Sequence, residues 1–109
     1  MSRKRLEEND PTLRLDLVRI YLKTTPPLLA QMRRFLEEKN FEQLRRSAHT
    51  LKSSSAYVDL SDIRETAFLL EKLEDARSTQ SEAEALLKKI ETAFKTARVI
   101  LEEELRRAD

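Results

Sequence analysis

The chain has 109 residues, with 21 Lys plus Arg against 20 Asp plus Glu, one histidine, no glycine and no cysteine. These counts exclude a disulfide framework, thiolate chemistry and any cysteine or multi-histidine metal site, and a charge balance this even argues against a nucleic-acid-binding face. The length fits one domain, and a composition rich in Ala, Leu, Glu, Lys and Arg but poor in aromatic and β-branched residues is all-α.

Residues 1–10 read as a charged, flexible lead-in to a single helical domain over 11–107. "MSRKR" is basic but has no apolar stretch behind it, so neither a secretory signal nor membrane insertion is expected. Asp10-Pro11 has the form of an N-cap and first helical residue, followed by Leu13, Leu17, Ile20 and Tyr21 to about Lys23. "TTPP" should stop that helix. Thr25 and Pro26 should start a second one, with Leu29, Met32, Phe35 and Leu36 on its apolar face to about Glu38. Asn40 is placed to cap a third helix. Its apolar or small residues Phe41, Leu44, Ala48, Leu51, Ser55 and Val58 are spaced 3, 4, 3, 4, 3. Asp59 can turn the chain, and either Asp59 or Ser61 can cap a fourth helix carrying Ile63, Ala67, Leu70 and Leu73 to about Ala76. "RSTQSEAE" then reads as a polar connection. Ser81 to Glu84 has the form of a capping box opening a fifth helix, which buries Leu87, Ile90, Phe94, Ala97 and Leu101. Short connections imply that the second to fifth helices form an antiparallel four-helix bundle, with the first as an additional short N-terminal capping helix across one end.

On a wheel at about 100° per residue, His49 falls roughly 120° from the middle of the third helix's buried seam, and so faces solvent. Arg45, Lys52, Ser53 and Ala56 share or border that flank. A neutral imidazole is a nucleophile near neutral pH. For attack on a phosphoryl group it needs an exposed nitrogen, a nearby cation such as Lys52, small neighbours and a rigid support. The same features suit an ordinary surface histidine on a bundle that binds a partner helix.

"AHTLKSSSA" resembles the phosphoacceptor signature of histidine-containing phosphotransfer (HPt) domains, approximately A-H-x-L-K-G-S-S-A-x-x-G. Ala48, His49, Leu51, Lys52, Ser54, Ser55 and Ala56 match in register. "LLEKLEDAR" at 69–77 is similar to a further element of that family, and the resemblance covers about residues 12–105. It implies a phosphorelay intermediate: His49 would take a phosphoryl group from the aspartate of one receiver domain and pass it to another. Lys52 would steady the phosphoryl charge, and Ser55 would be a packing residue. The partners implied are response-regulator receivers and a hybrid sensor kinase, in the cytoplasm. The chain itself would be a monomeric phosphocarrier without autokinase activity or a cofactor of its own, Mg²⁺ coming with the receiver.

Ser53 and Asp59 stand where the family has glycine. Ser53 would lie against the receiver, and Asp59 would have to adopt a left-handed turn. Docking candidates are Ser53, Ala56, Arg45 and Met32, with Leu28, Phe35, Tyr57 and Arg46 as further ones. An adaptor that docks receivers without transferring phosphate stays open beside the carrier, as does the choice between a free-standing protein and a piece of a hybrid kinase.

Overall fold

Val18, Tyr21, Thr25, Leu29, Met32 and Leu36 are all buried, at intervals of three and four residues that run uninterrupted past Pro26 and Pro27. They belong to one helix. The computed structural model describes residues 11–73 and 76–108, with the helices α1 (Pro11–Glu37), α2 (Phe41–Tyr57), α3 (Ser61–Glu71) and α4 (Ala76–Ala108). The separate capping helix and the break at "TTPP" are therefore corrected: residues 11–23 are the first part of α1. The lead-in expected over 1–10 lies outside the described residues.

Proline in a helix interior removes a backbone bond and crowds the preceding turn, at about 3 kcal/mol. Here Pro27 is exposed and Pro26 half-buried, so the disturbed turn borders solvent, where water can reach the carbonyls left without N–H partners. Thr24 Oγ1 also donates to the Ile20 carbonyl at 2.8 Å. Continuity of the apolar seam outweighs the local disturbance.

Two tight turns follow in a chain with no glycine. Lys39 and Asp59 both have positive φ, 58° and 60°. At each, the next residue's N–H reaches back five positions, Asn40 to the Phe35 carbonyl and Leu60 to the Ser55 carbonyl, the Schellman arrangement. Asp59 thus takes the left-handed geometry expected of it, and Lys39 does so without any sequence cue. Asn40 caps α2 by accepting from the Gln43 N–H. The residue flanking α3 is Leu60, which gives no side-chain cap, so the capping roles expected of Asp59 and Ser61 are not filled. α3 ends at Glu71, short of the expected Ala76. α4 starts at Ala76 and runs through the expected capping box, because Thr79 and Ala83 extend the buried repeat N-terminally.

The chain direction follows from the ion pairs. Arg14 near the start of α1 meets Glu104 near the end of α4, at 2.8 Å. Arg33 near the end of α1 meets Glu84 and Glu91 in the first half of α4, each at 2.6 Å. α1 and α4 are therefore antiparallel. α2 packs on α1 and α3, and α3 on α4, closing the four-helix bundle around one core. Ala48, Leu51 and Ser55 are completely buried in that core, and Ser55 Oγ bonds the Tyr21 hydroxyl at 2.9 Å. Burial pushes the Tyr21 phenol pKa up, against the hydrogen bond with Ser55. α2 is thus anchored on both sides of the position that carries the histidine.

Candidate functional site

Ala48 and Leu51 point into the core, and His49, about 100° round the helix from the first and about 160° from the second, points out. The His49 side chain is 60% exposed. Its ring is nevertheless held. Nδ1 lies 2.6 Å from Oε2 of Glu71, the last residue of α3. Lys52, one turn along α2, donates from Nζ to the other oxygen of the same carboxylate at 2.7 Å.

One acid thus bridges two groups on the neighbouring helix. The Lys52 ammonium, opposed by partial burial and assisted by His49, holds the Glu71 carboxyl below its ordinary pKa of 4.5. An ionised carboxylate can only accept. The proton of a neutral His49 ring therefore sits on Nδ1, and the lone pair is on Nε2. Nε2 makes no hydrogen bond to any described residue. Any positive charge that develops on the ring during attack by Nε2 falls on the side that faces Glu71, which stabilises it.

Lys52 is more enclosed than the ring it accompanies, at 26% exposure. Its ammonium also lies 5.2 Å from the centre of the Phe68 ring, and Lys72 lies at the same distance from that ring. On the N-terminal side of His49, a shallow cavity of about 370 Å³ is lined by Glu42, Arg45, Arg46, His49 and Glu71. Arg46 pairs with Glu42 across one turn at 3.2 Å.

The matching family model is that of the Hpt domain, over residues 16–108. The chain belongs to the Hpt domain family. No curated protein and no solved structure matches it significantly. Hpt domains are helical phosphocarrier modules of phosphorelays, and they work with receiver domains. No helix among the described residues is long and apolar enough to cross a membrane.

For this Hpt domain, the structure brings His49, Lys52 and Arg45 to one side of the α2–α3 pair. Ser53 and Ala56 are exposed further along the same helix, and Ala56 borders a second cavity with Asp59, Leu60, Ser61 and Arg64. Met32 does not join them. It is 0% exposed in the core, on the apolar face with Leu29 and Leu36, so its assignment to a docking surface is corrected. Leu28 and Phe35 are half-buried against the same core, while Tyr57 is 70% exposed. Glu71 carries no role in the sequence reading. It stands inside "LLEKLEDAR", which resembles the family, but nothing local marks its carboxylate as a partner of a ring 22 positions earlier.

Proposed function

We propose that this Hpt domain carries a phosphoryl group on Nε2 of His49, receiving it from the aspartyl phosphate of one receiver domain and passing it to the aspartate of another. The observation that carries the reading is the Glu71 bond to Nδ1, which leaves Nε2 outward-facing and unbonded on a rigid helix. Nε2 attacks phosphorus in line as the acyl phosphate P–O bond breaks, and the receiver carboxylate leaves with the electron pair. Transfer to the second receiver runs this step in reverse. The proton stays on Nδ1, shared with Glu71.

The chain acts as a monomeric carrier in the cytoplasm, with no autokinase activity and no cofactor of its own. Mg²⁺ belongs to the receiver's acidic pocket, and a hybrid sensor kinase is the source of the phosphoryl group. Ser53 and Ala56, exposed beyond His49, give the receiver small side chains to close over.

The test needs no partner. The protein is incubated with phosphoramidate and read by intact mass, with acid and alkali stability as the chemical signature. One acid-labile, alkali-stable phosphoryl group is expected on the wild type, and none on His49→Gln. A folded wild type that stays unmodified would overturn the carrier reading and leave the receiver-docking adaptor.

A further inference from the structure

Both carboxylates bordering the cavity beside His49 are already engaged. Glu71 uses Oε1 for Lys52 and Oε2 for the imidazole, and Glu42 is bound by Arg46. Of the cations close to the ring, Lys52 and Arg46 are therefore each paired with an acid. Arg45 is not: its guanidinium has no hydrogen bond or ion pair with any described residue, although the side chain is half-buried and lines the cavity.

Arg45 lies four residues before His49, where side chains on a helix are neighbours with Cβ atoms about 5–6 Å apart. Helical side chains lean toward the N-terminus, so the His49 ring lies over the turn that carries Arg45. Lys52 comes from the other side and is drawn toward α3. Lys52 keeps N–H groups beyond the one given to Glu71, but its ammonium is held toward α3 by that carboxylate and by the Phe68 ring, at 26% exposure. Arg45 has nothing to give up. Its planar fork also suits two phosphoryl oxygens at once.

We infer that Arg45 is the phosphoryl-binding residue of this site, closing on the group attached to Nε2 of His49 while Lys52 stays with Glu71 to fix the ring. The inference rests on the proposed carrier function and assigns the cation that the phosphoryl group meets. In the chemical reaction, Nε2 forms the new bond to phosphorus as the P–N bond of phosphoramidate breaks. Ammonia leaves with the bonding pair, and the ring keeps its Nδ1 proton. The added negative charge then lies beside the free guanidinium.

The experiment is a ³¹P NMR pH titration of the phosphohistidine made with phosphoramidate, on wild type, Arg45→Met, Arg45→Lys and Lys52→Met, with thermal unfolding as the control for folding. A cation beside the phosphoryl group favours its dianion. Arg45→Met should therefore raise the titration midpoint by roughly half a unit, and Arg45→Lys should restore part of the shift. Lys52→Met should slow labelling but leave the midpoint near wild type. A midpoint unchanged in folded Arg45→Met would overturn the inference while leaving the carrier reading intact. So would a shift seen only in Lys52→Met, which would make Lys52 the phosphoryl partner. Failure of the wild type to label at all would overturn both.

Discussion

Two of the charge clusters that tie helices together in this bundle are near mirror images. On the α1–α4 side one base holds two acids: Arg33 reaches Glu84 and Glu91, which raise its pKa further above the ordinary guanidinium value. On the α2–α3 side one acid holds two nitrogen bases, Glu71 between His49 and Lys52. In the first cluster all three nitrogens of the Arg33 guanidinium and both oxygens of Glu91 go into joining the helices. In the second, the carboxylate engages only half of the imidazole and leaves the other nitrogen outward. The lesson lies in stoichiometry: the same kind of cross-helix pairing is structural where it saturates its members and chemically available where it does not.

The comparison breaks if the two clusters do not separate reactivity from stability. The largest effect is expected at the second one. Glu71→Ala frees the ring and removes the acceptor that fixes its tautomer, so labelling of His49 by phosphoramidate should slow about 10–100-fold. Initial rates followed by intact mass would check this, and a rate within twofold of wild type would show that the ring needs no holder. Arg33→Met should do the reverse. It leaves Glu84 and Glu91 without their shared cation, lowering stability by about 1 kcal/mol and the melting temperature by about 4 °C, with His49 labelling unchanged.

The smallest effect concerns pH. Glu71 is held below its ordinary pKa chiefly by Lys52, and Glu104 chiefly by Arg14. A carboxyl lowered in the folded state binds fewer protons there than in the unfolded chain. Its contribution is present above the ordinary value of 4.5 and is lost as pH falls through the lowered folded value. Stability by urea titration should therefore decline below about pH 4.5, and Glu71→Gln should make the decline shallower. An equally steep decline in that variant would remove Glu71 from the acid-sensitive set.

How far the sequence was readable depends on the reach of each signal. The α2 seam, the Asn40 cap and the outward direction of His49 were all legible, because each is set within a few turns of one helix. Asp59 was legible for a similar reason: a left-handed turn is a local demand. The reading failed where a local stop signal met a long apolar seam. Pro26–Pro27 and the Ser81–Glu84 box both looked like boundaries, and both lie inside helices that tertiary packing carries through. Met32 was legible as a core residue from its spacing to Leu29 and Leu36, and that burial is what takes it out of the docking surface.

The sequence by itself determined an all-helical chain with its single imidazole on the exposed side of a buried helix. Periodicity fixes which way each side chain points from its own axis, and that needs no neighbour. Only the tertiary structure decided which acid meets the ring, which cation that acid claims, and which cation it leaves unpaired. Those choices depend on the register of α2 against α3, which is set by core packing of residues far apart in the chain. Glu71 gains its part from standing opposite His49 and Lys52, and Arg45 gains its own from being left out of that pairing.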